Sequence, residues 1–530
     1  MSGRIRTPQW FVPGDIDGFV ALGFNLLLNF LVVISLMKGV LGYSEELIYR
    51  NVLPGMAVGL LIGNSYYAWQ CYTTARRQGR DDMTALPYGV NSVSIIAFVF
   101  IAMLPAKLAA LDQGFSEAAA NQLSYHVGLV ACLGSGVIEA GGASAAAVLR
   151  RFLPRACLLA SLSGIGLGYL ALTYLTQVYA YPVVGLGTLA MILVNYYGGL
   201  KLPLPPGLVT LVLGIVLAWA QGLIQLDPSG WQQGFSQLGF YPPTVQFSAI
   251  WHNLDQIIPY LGVVIPMGMF NLFGSMQCIE SAEAAGDKYA TMPSLVVNGI
   301  GSLASALFGS PVPTTLFIGH PGWKDIGSRV GYSWLTGVIF CLITFFGLFG
   351  LISEIIPPQV AIAFLVYIGI TITAQAFETT AQRYTPAVVM GILPGIAGWG
   401  TLLLNAGLQI GAAPTGETPF SQETLAALHQ NYVWAGGLFA LDQGQIFTSV
   451  LLSALMVYII DKRYLAAALC STLAAVLSFS GAIHAWMLTP TGPSLQLGFG
   501  SGGSWSAGYA VMTAVLIAAH FCKPDSRGPD

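Results

Sequence analysis

The polar residues with the most chemical potential in this chain are set among apolar ones. Glu139 lies within Gly134-Ser-Gly136-Val-Ile-Glu139-Ala-Gly-Gly142, inside a long apolar run. A carboxyl so placed either serves as a proton carrier or is paired with Arg150, Arg151 or a group on another helix. Asn271 and Ser275 are four apart in Gly268-Met-Phe-Asn271-Leu-Phe-Gly274-Ser275-Met-Gln277, which puts both on one helical face. That face either lines a cavity or holds two helices together by hydrogen bonds. Asn25 and Asn29 repeat the spacing and could face the same pocket. His320 is a donor, an acceptor or a pH-sensitive group, or else a hydrogen-bonded structural histidine.

Two stretches break the rules of an apolar helix. Thr84-Ala-Leu-Pro87-Tyr88-Gly89-Val-Asn91-Ser92 concentrates proline, glycine and polar side chains, and Gly309-Ser310-Pro311-Val-Pro313-Thr314-Thr315 does the same. Proline cannot donate to a helix ladder. Each stretch is therefore expected as extended backbone leading into a half-helix, buried in protein or lining a wet cavity. Tyr88, Asn91, Ser92, Thr314 and Thr315 would then join Asn271, Ser275 and His320 around a small solute.

Other chemistries find little support. The seven cysteines show no CxxC spacing and are expected as small buried hydrophobes. No Walker loop, zinc spacing or Ser–His–Asp pattern occurs, and neither metal nor cofactor is expected. Gly164-Ile-Gly166-Leu-Gly168 lacks the strand that a dinucleotide fingerprint needs and reads as close helix contacts. Asp81-Asp82 looks like half of a metal–diphosphate motif without its second half. Glu280, Glu283 and Asp287 read as a solvated helix end, and Asp15 and Asp17 as caps of the first helix.

Composition sets the solvent. Of 530 residues only 8% are charged and 55% are hydrophobic, against about 25% charged in a soluble globular protein. The chain should live in a bilayer, and its net charge of −3 offers no basic patch for nucleic acid. Sixteen apolar stretches follow one another, at about 18–40, 51–72, 84–104, 122–148, 156–176, 184–199 and 206–223, then 257–279, 292–309, 312–326, 332–356, 359–377, 384–408 and 444–461, and finally 463–485 and 506–523. With the N-terminus inside, only Lys38, Arg50 and Lys107 of the twenty Lys and Arg fall outside. Segments 224–256 and 409–443 contain neither residue, as external loops should. Both termini are expected in the cytoplasm, and the bilayer is expected to be the plasma (inner) membrane.

The breaks fall in the third span of the first seven and the third span of the next seven. An odd repeat places the second unit upside down, which is the pattern of an inverted-repeat transporter with its site at mid-bilayer. The expected fold class is an all-α polytopic membrane protein, a seven-plus-seven inverted repeat with broken third and tenth spans and two additional C-terminal spans.

Asn298-Gly-Ile-Gly-Ser302-Leu-Ala-Ser-Ala-Leu-Phe308-Gly309-Ser310-Pro-Val-Pro-Thr314-Thr315 resembles the ninth- and tenth-span signature of the nucleobase–ascorbate (xanthine/uracil) permease superfamily. Leu86-Pro87-Tyr88-Gly89-Val90-Asn91-Ser92, followed by Ala97-Phe98, is similar to the third-span motif of its adenine/guanine/hypoxanthine branch. The resemblance covers about 15–461. It implies core helices over 1–155 and 251–356, gate helices over 156–250 and 357–461, and two further spans over 462–530. It also implies uptake of a purine or pyrimidine driven by H+ or Na+, a rocking or elevator-like core, and a homodimer formed through the gate. Two departures stand out: the acidic residue of span eight is Asn271 here, and no carboxyl follows Thr314-Thr315 until Asp325. An inorganic anion carrier on the same architecture, as in sulfate permeases, is the alternative. An integral-membrane enzyme using Asp81 and Asp82 is a distant third.

Overall fold

A computed structural model describes residues 7–91, 94, 98–200, 206–223, 228–254, 261–355, 358–360, 362–412, 419–489 and 492–522. Ser92 lies outside the described residues. The chain is mostly helical, and five helices are long and apolar enough to cross a membrane: Gly14–Val40, Glu117–Ala146, Arg155–Ala180, Gln382–Ala412 and Gly503–Phe521. A bent pair, Ala435–Asp442 with Gln445–Ile460, passes the same test, and six shorter apolar helices accompany them. The segments expected as external loops carry helices of their own, Pro228–Ser236 and Phe247–Trp251 in one and Gln422–Gln430 and Ala435–Asp442 in the other. Ala435–Asp442 is an apolar helix and half of that bent pair, which corrects its reading as loop.

The contacts divide the chain into two compact units, residues 1–150 with 173–371, and residues 151–172 with 372–530. In the first, both breaks are extended as expected. Tyr88–Val90 forms strand β1 and Thr314–Leu316 forms strand β2. They pair antiparallel, Tyr88 with Leu316, Gly89 with Thr315 and Val90 with Thr314. Antiparallel pairing of corresponding segments is what a twofold axis in the membrane plane requires.

The freed backbone groups have partners, as they must where water is scarce. Asn91 N donates to Pro313 O (2.9 Å), Phe317 N to Pro87 O (2.8 Å) and Ala85 N to Arg329 O (2.8 Å). The Ser302 hydroxyl takes both backbone groups of Thr314, each at 3.1 Å. Helix Leu53–Gln78 is the post on which both breaks lean. Asn64 reaches Tyr88 O (3.4 Å), Tyr67 OH donates to Ser294 O (2.8 Å), and Gly55 and Gly59 let the chain around Ser310 and Thr314 approach.

Tyr88 is fully buried between Gly63 on this post and Gly301 on helix Thr291–Leu307. A methyl group at Gly63 would overlap the Tyr88 ring, and one at Gly301 would overlap its hydroxyl. Gly63→Ala should therefore cost about 1–3 kcal/mol or more through overpacking. The melting temperature of the purified variant would show it, and an unchanged value would mean that Tyr88 is not wedged there.

The second unit holds Arg155–Ile165, which runs into a π-helical stretch Gly166–Leu172, together with Thr385–Ala412, the bent pair, Tyr464–Phe479 and Gly503–Phe521. A hairpin, Trp486–Thr489 with Gly492–Leu495, joins the last two helices. Gly164 meets Gly395 at backbone distance, the close helix contact expected of the glycine cluster.

Candidate functional site

Asn91, Ser94, Ser135, Glu139, Asn271, Ser275, Asn298 and Thr315 form one connected network beside the strand pair. It starts just after β1. Asn91 Oδ1 accepts from Ser94 N (3.0 Å), and its Nδ2 donates to Asn271 Oδ1. Asn271, on helix Leu261–Ala284, also accepts from Ser94 Oγ (3.1 Å). Its Nδ2 donates to Ser135 Oγ and to Glu139 Oε1, both at 3.1 Å. Two donors and two acceptor positions are all that an amide has, and Asn271, 1% exposed, uses every one of them inside the protein.

Glu139 is the hub of this network. Ser135, one turn earlier on helix Glu117–Phe152, donates to its Oε1 (3.0 Å), and Asn298 Nδ2 donates to its Oε2 (2.8 Å). Asn298 also donates to Ser275 Oγ (3.0 Å), and Ser275 meets Thr315 Oγ1 of β2 (3.2 Å). The carboxyl is fully buried, and its hydrogen-bond partners are neutral amides and hydroxyls carried by three helices. Among the described residues no basic group is paired with it. Two of its partners, Asn271 and Asn298, stand on other helices.

Tyr88 OH donates to Thr314 Oγ1 (2.5 Å), which ties β1 to β2 through side chains as well as backbone. Asn25 accepts from Asn29 Nδ2 (2.9 Å), so these two bond to each other within the first helix.

His320 belongs to a second cluster. Its Nε2 lies 3.0 Å from Asp287 Oδ2, and it is 1% exposed. The Asp287 carboxylate also takes Thr84 N (3.0 Å), Arg80 Nη2 (3.0 Å) and Lys324 Nζ (2.6 Å). Asp287 is thus no solvated helix end. It is a fully buried clasp joining the approach to β1 with the short helix His320–Asp325 that follows β2. Burial raises its carboxyl, but the hydrogen bonds and charges of His320 and Lys324 outweigh that and hold it below the usual carboxylate range. Asp82 is gripped by Arg80 at 2.8 and 2.9 Å, and that pairing lowers it to about 2. Asp15 and Asp17 differ from expectation too. They cap other segments rather than their own helix, Asp15 accepting from Arg329 N (2.7 Å) and Asp17 from Gly207 N (2.6 Å), at the start of Pro206–Ala220.

Sequence reasoning missed Ser94, Ser135 and Asn298 as members of the network. The Ser135–Glu139 spacing of four was a usable signal, and Asn298 opened a motif quoted for its resemblance alone.

No family model matches the chain, and no curated protein matches it. Its resemblance to nucleobase–ascorbate permeases therefore stands on the residues quoted above. Among solved structures the chain is similar to the transmembrane domain of a cyanobacterium bicarbonate transporter, BicA, at 15% identity over 72% of this chain and 94% of that one, with a TM-score of 0.39. It is also similar to the overall structure of SLC26A9, at 15% identity over 69% of this chain and 62% of that one, with a TM-score of 0.36.

Proposed function

We propose that this chain is a secondary active transporter that carries a small inorganic oxyanion, of the size of bicarbonate or sulfate, past the paired breaks together with a proton held on Glu139. One observation carries the reading. A buried carboxyl with only neutral partners sits in a network that touches both breaks, through Asn91 and Ser94 on one side and through Ser275 and Thr315 on the other. A buried carboxylate without a cation is costly, whereas a protonated one is neutral. The unpaired, buried Oδ1 of Asn298 would accept the added proton after a turn of its amide. An anion arriving beside Glu139 favours the protonated form by Coulomb's law, so binding of solute and proton would reinforce each other.

The groups around β1 and β2 favour an anion over a base. Ser275, Thr314 and Thr315 carry hydroxyls, while Asn271, the counterpart of the carboxylate that would grip ring N–H groups, is turned inward and saturated. The core over 1–155 and 251–356 would move against the gate over 156–250 and 357–461.

The second reading, a purine or pyrimidine permease, rests on the motifs at 86–92 and 298–315. Uptake of labelled sulfate or bicarbonate into proteoliposomes decides between them. Unlabelled oxyanions should compete and nucleobases should not; competition by hypoxanthine or uracil alone would overturn the anion reading. Asn271→Ala, which strands Asn91, Ser94, Ser135 and Glu139, should lower uptake at least 100-fold, by about 2.7 kcal/mol or more, in protein that still inserts.

A further inference from the structure

The second unit holds a polar cluster built from residues not used so far. Three local irregularities meet there. The π-helical stretch Gly166–Leu172 carries Tyr169, and such stretches often mark functional sites. Pro394 interrupts the ladder of Thr385–Ala412 a turn before Gly398. Helix Ala435–Asp442 ends at a break where Gly444 takes φ +71°, and Gln445–Ile460 leaves at 88°. Only a residue without Cβ adopts that φ at no steric cost.

The three elements converge on Gly398. A methyl group there would lie 2.6 Å from both Gln445 Oε1 and Tyr169 OH, and 2.8 Å from Asp442 Oδ1. Gln445 Nε2 donates to Tyr169 OH (3.3 Å), and the tyrosine proton goes to Asp442. That arrangement leaves oxygens in surplus. Gln445 Oε1 is buried without a hydrogen-bond partner, and so is the hydroxyl of Thr401, one turn beyond Gly398 and 2% exposed. Among the described residues no lysine, arginine or histidine pairs with Asp442. A carboxylate, an amide oxygen and a hydroxyl with no positive charge among them are the ligand set of a hard cation, and a single carboxylate balances a single charge. Protonating Asp442 would cancel the charge but satisfy one unpaired oxygen at most.

We propose that Asp442, Gln445, Thr401 and Tyr169 bind one monovalent alkali-metal cation, at a site separate from the Glu139 network and independent of which solute is carried. The test is equilibrium binding of radiolabelled Na+ to the purified full-length protein in detergent. Wild type should bind saturably, and Asp442→Asn should weaken binding at least tenfold. Gly398→Ala, whose methyl would intrude among the three oxygens, should do the same, while Glu139→Gln should bind as wild type does. Three results would overturn the site: no saturable Na+ binding by wild type, wild-type binding by monodisperse Asp442→Asn, or binding lost in Glu139→Gln but kept in Asp442→Asn.

Discussion

Glu139→Gln is expected to abolish concentrative uptake while leaving solute exchange across the membrane in place. Glutamine keeps the size and most of the hydrogen bonds of Glu139 but cannot lose or gain a proton. Its amide oxygen can still receive Asn271 Nδ2 and Ser135 Oγ, and its NH2 would face Asn298, whose Oδ1 stands unpaired and ready to accept. The fold should therefore survive with a small stability change, of the order of one ordinary hydrogen bond, about 1 kcal/mol. Transport against a gradient should fall at least 100-fold, and its dependence on an imposed pH gradient should vanish. Glu139→Ala differs. It removes one of two acceptors from each of two buried amides, Asn271 and Asn298, at about 1–3 kcal/mol each, and should lower the melting temperature as well. Equal damage from both substitutions would mean that the carboxyl is only a structural hub.

The second large effect is on stability. Asp287→Ala removes the acceptor shared by Arg80, Thr84, His320 and Lys324, leaving Lys324 without its counter-charge, Arg80 with Asp82 alone, and the buried Thr84 N–H without its acceptor. Breaking a buried pair of this kind costs about 3–5 kcal/mol. Much of the protein should fail to accumulate in folded form, and the remainder should melt well below wild type. The pH dependence has a definite sign. The folded-state value of Asp287 lies below the ordinary carboxylate value, which is about 3.9 in an unfolded chain. Its contribution is therefore present above that pH and lost as the pH falls through the folded value. Wild type should lose melting temperature below about pH 4, and Asp287→Asn should start lower and show a flatter acid limb. A variant as stable as wild type would mean that the clasp holds nothing.

Why some of this could be read from sequence and some could not follows from the residues involved. Pro87, Pro311 and Pro313 remove backbone donors outright, so the two breaks were legible, and the hydrogen-bonding demand of a bilayer left paired strands as one of few outcomes. Asn271 and Ser275 share a face through helical spacing alone. Whether that face turns to solute or to protein depends on neighbours far away in sequence, and Ser94, Ser135 and Asn298 turned out to consume it. Asp287 looked exposed because charged residues surround it along the chain; in space it is wrapped by Arg80, Thr84, His320 and Lys324, all distant in sequence. Asp442 escaped notice because it sits in a stretch without Lys or Arg, where helix Ala435–Asp442 was read as loop. The hairpin at Trp486–Leu495 lies between the ranges assigned to the fifteenth and sixteenth spans, and its alternation is too short to stand out.

The measurement closest to the central claim is proton movement driven by solute alone. Proteoliposomes holding a trapped pH dye, with no gradient imposed, are given external sulfate. Wild type should acidify the interior as sulfate enters, Glu139→Gln should admit sulfate by exchange without acidification, and a nucleobase should do neither. Sulfate entry by wild type with no accompanying proton, or acidification undiminished in Glu139→Gln, would contradict a proton carried on Glu139 between the paired breaks.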